Sequence, residues 1–312
     1  MRKGLFLIER VAWMYYMEKY TQKEISNILG ISRSKVVRAL KEAEKLGIIM
    51  VRIKLRNEQY YPELERQFIE KFNLKDCVVI PFQEDNDPKF FPNVAAQYIE
   101  QLIEVEDVIG VAWGNTLREV FQYFNPPINL SKITVVQLLG GLAAGEPQMN
   151  PYDITRFFEG AKCVYLYAPA IVSCVETKKY LMKEPQIRRV FEMMLNVNKA
   201  FVGIGDLSQE ASLLKAGFLS SDQMSLLLSK GAVGDIVGRF FDINGNLIDW
   251  EVNDRIIGIT LPQFRNIPIR IGIARGKRKI RPILGALRGG HINILITDFH
   301  TASEVLKLAS LL

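Results

Sequence analysis

Three loops in this 312-residue chain carry residue types that hold anions, each directly after a short apolar, β-branched run. The first is Gly114-Asn115-Thr116 and the second is Gly140-Gly141. The third is the basic stretch RGKRKIR over residues 275–281, in which Lys279 is the candidate charge partner. A glycine lets backbone amides approach a phosphate, Thr116 adds a hydroxyl, and a helix that follows supplies unpaired N–H groups. Each loop also has a plain reading: turn chemistry for the glycines and a solvated face for the basic run. A fourth group, Asp235, Arg239 and Asp242 in GDIVGRFFDINGN, joins hydroxyl acceptors to a guanidinium fork. It is either a polar ligand cluster or an internal ion pair.

A different chemistry is written over residues 21–47, TQKEISNILGISRSKVVRALKEAEKLG. Ile25, Ile28 and Leu29 share one face of a first helix, with Thr21 and Glu24 spaced as a capping box. A tight turn at Gly30-Ile31 leads to a second helix with Ser32 as its N-cap. There Val36, Leu40 and Ala43 form the buried stripe, while Ser34, Arg38, Lys41 and Lys45 lie on the opposite side. Two short helices so joined, with phosphate and base ligands on the outer face of the second, predict a helix-turn-helix DNA reader. The candidate contact set is Thr21, Gln22, Ser32, Arg33, Ser34, Lys35, Arg38, Lys41 and Arg52.

Charge and composition narrow the reading. Residues 1–55 hold 12 Lys and Arg against 5 Asp and Glu, whereas residues 56–312 hold 28 against 29. A small basic module on a near-neutral body meets polyanion with the module and something else with the body. Cys77, Cys163 and Cys174 are far apart in apolar runs with no metal spacing, so they read as reduced core residues. With only His291 and His300, no metal or cofactor is expected. No apolar run approaches membrane length and no secretory signal is visible, which places the chain in the cytoplasm. Gly203-Ile204-Gly205 lacks the third glycine of GxGxxG, and neither a Walker A sequence nor GxSxG occurs.

The elements that must position these residues follow from periodicity. Residues 5–18 set Leu5, Ile8, Ala12, Tyr15 and Tyr16 on one helical face, completing a three-helix core. Residues 48–55 alternate and predict a wing strand carrying Arg52 and Lys54. After a linker at 57–61 and a helix at 62–72, buried parallel strands are expected at 77–82, 107–113, 133–139, 162–168, 199–205, 269–274 and 292–297. A closing helix is expected at 302–312. The domains are therefore 1–55, a winged helix-turn-helix, and 56–312, a large parallel-sheet α/β body.

Six blocks carry a resemblance: YTQKEISNILGISRSKVVRALKEAEKLGII, VIGVAWGNTL, VVQLLGG, AVGDIVGRFFDINGN, RIIGIT and KIRPILGALRGGHINILITDFHTASEVL. In these the chain resembles the SorC/DeoR-type sugar-binding bacterial transcriptional regulators over nearly its whole length. The resemblance implies an effector domain similar to the sugar-phosphate isomerase and deaminase fold, its catalytic function lost. It also implies a phosphorylated sugar effector, homodimers or homotetramers, and control of a carbohydrate-catabolic operon from a double-stranded DNA operator; repression relieved by ligand is the expected sign, with activation the open alternative. Carried over by position, the phosphate end meets Gly114, Asn115, Thr116 and Lys279, with Gly140 nearby and Asp235 on the sugar side. Arg239 completes the candidate effector set. The sequence departs from the family pattern at Arg275-Gly276, where Gly-Gly is common, and at Phe299, where an acidic residue is common. The alternative is an active sugar-phosphate isomerase or deaminase with an appended DNA reader, using Asp235 or Asp242 as general base.

Overall fold

Seven runs pair side by side in the computed structural model: six are largely buried, and the edge strand over 162–164, shorter than the expected 162–168, is exposed or half-buried. The structure describes residues 2–49, 61–81, 87–141, 152–215 and 217–312. The strands are β1 (Asp76–Ile80), β2 (Val108–Val111), β3 (Thr134–Gln137), β4 (Lys162–Val164), β5 (Lys199–Gly203), β9 (Ile269–Ile273) and β10 (Ile294–Asp298). Their order is β1-β10-β9-β5-β2-β3-β4, and every pairing is parallel. Alternation along each strand divides the core. Val78, Ile80, Phe201, Ile294 and Ile296 pack on one face with Phe91, Phe121 and Phe158. Cys77, Val79, Ala200, Val202 and Leu295 pack on the other with Phe240, Trp250 and Phe264.

The chain makes one reversal that matters. From β2 it proceeds outward through β3 to β4, then returns to lay β5 on the other side of β2 and continues through β9 to β10. Loops leaving β2 and β5 therefore diverge over adjacent strand ends, the arrangement that opens a crevice in parallel sheets. Between β5 and β9 a second, antiparallel sheet forms from β6 (Gly205–Asp206), β7 (Ala232–Ile236) and β8 (Arg239–Asp242). No strand was expected over residues 232–242. The turn joining β7 to β8 is Val237-Gly238, both with positive φ, +49° and +74°. That geometry suits a two-residue hairpin but strains a β-branched valine, which hides the turn from a propensity reading.

The N-terminal unit, Met1–Ile53, is separate from the unit Lys54–Leu312. It contains α1 (Arg2–Tyr16), α2 (Gln22–Leu29) and α3 (Arg33–Lys45) around Val11, Met14, Ile25, Val36, Ala39 and Leu40. The expected face of α1 is rotated slightly: Ala12 is buried as expected, Val11 and Met14 are buried as well, and Ile8, Tyr15 and Tyr16 pack at the edge. Ile28 does not share the buried face of α2. It is 53% exposed, because Ile25 and its i+4 neighbour Leu29 suffice to fill the space. The expected wing beyond Ile49, with Arg52 and Lys54, and most of the linker lie outside the described residues.

In the larger unit, α4 (Pro62–Phe72) and α5 (Phe90–Leu102) flank β1, and α6 (Asn115–Phe121) follows β2. The last helix begins earlier than expected, at Phe299, because Asp298 caps it by accepting from Thr301 N at 2.9 Å. Cys77 is buried, but Cys163 and Cys174 are only half-buried, and all three are free thiols. At the amino ends of β2 and β5, opposite the crevice, Lys199 Nζ meets Asp107 Oδ2 and Glu104 Oε2, each at 2.8 Å. The Lys199 and Asp107 side chains are both buried. Removing one partner of such a pair strands the other charge. Lys199→Met should cost about 3–5 kcal/mol in urea denaturation; a loss near zero would show that the pair adds nothing to stability.

Candidate functional site

The carboxyl ends of β2, β5 and β9 bring together residues that lie far apart in sequence. With β5 between β2 and β9, the loops after the outer two strands stand roughly 10 Å apart, two strand spacings. Gly114 caps α6 with φ +147°, a conformation that suits glycine, and a Cβ built on it would touch Gly203 Cα of β5 at 3.9 Å. Asn115 and Thr116 open α6, and their side chains make no hydrogen bond among the described residues. The backbone of this loop and the strand end beside it are thus in direct reach of each other.

The basic loop after β9 is pinned from three sides. Gly276 N donates to Thr301 Oγ1 at 2.7 Å and to Asp298 Oδ2 at 3.2 Å, which fixes it to the end of β10. Arg275 stacks its guanidinium over Phe91 at 4.7 Å and pairs with Glu119 of α6 at 3.3 Å. The arginine that departs from the family's Gly-Gly thereby ties this loop to the helix after Gly114. Lys279 Nζ pairs with Asp206 Oδ2 at 2.7 Å. Asp206 is itself held by Ser208, whose backbone N–H and Oγ both donate to Oδ1, at 3.1 and 2.5 Å. Burial pushes the Asp206 carboxyl up, but the Lys279 charge and the bonds from Lys279 and Ser208 outweigh it and hold it below the usual range.

Asp235 sits beneath this pair. It is 4% exposed, accepts from Gly238 N at 3.2 Å through Oδ2, and leaves Oδ1 without a partner. A Cβ on Gly205 would overlap that oxygen, so only glycine lets the carboxylate seat against β6. Burial pushes the Asp235 carboxyl up to about 6; Lys279 and the Gly238 amide pull the other way, and Asp206 adds to the rise. The strained Val237-Gly238 turn is what delivers the Gly238 amide, so local strain sits where the unsatisfied acceptor sits.

Of the residues expected here, Gly114, Asn115 and Thr116 follow β2, Lys279 lies in the loop after β9 two strands away, and Asp235 in β7 pairs with Gly205 just beyond β5. Gly140, after β3, lies one strand further out, and its backbone is locked: its N–H donates to Ile257 O at 2.9 Å and a Cβ would overlap Ala168 O. Its glycine is required by packing. Arg239 is not part of the cluster. Buried at 4% exposure, its guanidinium donates to the carbonyls of Asn253, Ile256, Gly258 and Ile259, and burial lowers it to about 10. It neither forms the ion pair considered nor offers a fork to a ligand. Asp242 accepts from the Asn244 and Asn246 amides and caps their turn. Asp206 was missed in the sequence, where a lone aspartate after a strand has no spacing signature. Among the described residues no three His, Cys, Asp or Glu side chains gather as a metal would need.

The nucleic-acid candidates lie on α2 and α3. Thr21 and Glu24 form the expected capping box, and Ser32 caps α3 by accepting from Lys35 N at 3.3 Å. Gly30 at φ +61° makes the turn, which Ser26 secures by donating to Ile31 O at 2.6 Å. Ser32, Arg33, Ser34, Lys35, Arg38 and Lys41 are exposed, Thr21 is exposed and Gln22 half-buried. Arg52 lies outside the described residues. An open concavity of about 720 Å³ beside Gln22 and Arg33 is also lined by Lys19, Thr21 and Lys23. Its charged lining is wholly cationic.

A family model described as "Putative sugar-binding domain" matches residues 60–307. The chain is 33% identical over 305 residues to the uncharacterized transcriptional regulator YjhU of Escherichia coli (strain K12), covering 94% of this chain and 92% of that protein. It is also 33% identical over 305 residues to the deoxyribonucleoside regulator of Bacillus subtilis (strain 168), covering 95% and 96%. Among solved structures it is similar to the full-length sorbitol operon regulator SorC from Klebsiella pneumoniae, with a TM-score of 0.73 and 28% identity over 97% of this chain and 99% of that one. These relatives are named transcriptional regulators, so the reading as an active isomerase or deaminase is set aside. With a helix-turn-helix at one end and a parallel-sheet sugar-binding unit over the rest, the chain belongs to the SorC/DeoR-type sugar-binding transcriptional regulators.

Proposed function

We propose that the crevice at the ends of β2, β5 and β9 binds a phosphorylated sugar, and that this binding controls how paired α3 helices meet an operator. The observation that carries the reading is the unpartnered, buried Asp235 Oδ1 beside the Lys279–Asp206 pair. Lys279 and the loop of Gly114, Asn115 and Thr116 supply cation, amides and hydroxyl for a phosphate, and Asp235 supplies an acceptor for a sugar hydroxyl. Gly140 bounds the crevice by packing alone. Relatives named for deoxyribonucleosides and for a sorbitol operon support a carbohydrate-catabolic target.

The protein works in the cytoplasm as a homodimer or homotetramer, and ligand relieves repression by favouring one arrangement of the reading heads over the other. Thr21, Gln22, Ser32, Arg33, Ser34, Lys35, Arg38 and Lys41 form the described part of the DNA surface. A thermal-shift screen with phosphorylated sugars tests the effector reading, because a ligand that binds only the folded state raises its melting temperature. No shift with any of them would overturn it.

Three outcomes are expected. Lys279→Ala should abolish that shift and the release from operator while leaving ligand-free operator affinity unchanged; wild-type response in the variant would remove Lys279 from the site. Arg38→Ala should weaken operator binding by roughly 1–3 kcal/mol if it meets a base, or lower the salt slope by about 1 if it meets a phosphate; an unchanged titration excludes it from the interface. Asp235→Asn tests the buried acceptor. The carboxyl titrates at about 6 in the folded protein and at 3.8 by default, so the folded state keeps a proton that the unfolded chain releases between those values. Its contribution to stability therefore declines as pH rises from about 4 to about 6 and stays lost above. Asp235→Asn should then gain about 2–3 kcal/mol at pH 7.5 and little at pH 4, by urea denaturation; an equal change at both would exclude the cause.

A further inference from the structure

Gln22 and Arg33 are the first residues of consecutive helices, α2 and α3, and the tight turn between those helices brings their side chains together. Arg33 Nε donates to Gln22 Oε1 at 3.4 Å. The other exposed cations of α3, Lys35, Arg38, Lys41 and Lys45, have no side-chain partner among the described residues. Arg33 is thus the cation of this helix whose head is aimed before anything binds. An oriented fork suits a bidentate acceptor, a phosphate or a base edge, and the base edge alone turns that orientation into sequence preference.

With Nε engaged by Gln22, the two terminal nitrogens of Arg33 have no partner among the described residues. A guanidinium fixed in this way offers two parallel N–H donors on its outer edge. That pattern matches O6 and N7 of guanine, the adjacent acceptors of one base edge in the major groove. Thymine and cytosine lack the pair, and adenine replaces one acceptor with a donor. The cationic concavity on the α2 side of Arg33, with Lys19 and Lys23 in its lining, suits the backbone phosphates that flank a base so read.

We infer that Arg33 selects a guanine in each operator half-site, and that Gln22 is the positioning residue that aims it. The inference rests on the reading of α2 and α3 as the DNA-contacting pair and adds the base and the division of labour.

The experiment is selection of the full-length protein on a random duplex library, followed by competition among duplexes that differ at single positions. The wild type should enrich a motif with a guanine in each half-site whose replacement costs roughly 5- to 150-fold in affinity. Arg33→Ala should lose that preference while keeping the rest of the motif, and Arg33→Lys, which can still donate to O6 and N7 but offers no Nε for Gln22 to hold, should weaken it. Gln22→Ala should weaken it, and Gln22→Glu, which keeps an acceptor for Nε, should restore it. A merely structural role for Gln22 would lower affinity evenly across positions and leave the guanine preference intact, which overturns its assignment. An Arg33→Ala protein with the complete wild-type motif, or one weakened equally for all bases, overturns the guanine contact. Enrichment of no motif by the wild type would instead overturn the DNA-contacting reading itself.

Discussion

Strand β5 lies between β2 and β9, and this one placement decides where the larger unit can bind anything. Parallel pairing puts all strand carboxyl ends on one side, and the reversal after β4 leaves a gap in loop coverage over the centre of the sheet. Gly114 comes from before the reversal; Gly205, Asp206, Asp235 and Lys279 come from after it. None is near Gly114 in sequence, yet a Cβ built on Gly114 would reach Gly203 and Lys279 pairs with Asp206. Had β5 paired at an outer edge, the amide loop and the cation would face different neighbours.

The electrostatics follow from that convergence. Two carboxylates and one lysine share the crevice, while a second ion pair, Arg275 with Glu119, joins the basic loop to α6. The cations thus come from the loop after β9 and the carboxylates from α6, β6 and β7. Asp206 is fully engaged through Ser208 and Lys279, whereas Asp235 keeps an oxygen with no donor. A buried acceptor left unmet is costly, and its place beside a strained turn is what motivates the proposed effector site.

How much of this was legible depends on the range of the interactions. Caps at Thr21 and Ser32 are decided by neighbours three residues away, so α2 and α3 could be read closely. The buried parallel strands were legible because burial on both faces demands continuous apolar runs. The β7–β8 hairpin was not, since Val237 adopts φ +49° against its own preference. Arg239 read as a ligand because its true partners, carbonyls from Asn253 to Ile259, carry no side-chain signature. Asp206 gained its meaning only when folding placed it against Lys279. In the N-terminal unit, the face of α2 was drawn one residue too wide, and Ile28 stayed in solvent.

In the proposed effector site, Asp206 has a consequence for how a ligand would enter. Because it already occupies Lys279, an arriving anion competes with a tethered rival that never diffuses away. On that proposal, the affinity of Lys279 for free phosphate would be discounted by the standing occupancy, and background anions would be disfavoured. Only a molecule whose remaining contacts compensate for parting or sharing the pair gains entry. The carboxylate that weakens the proposed site would thereby set its threshold, and the regulator would gain selectivity from a residue that opposes its own ligand.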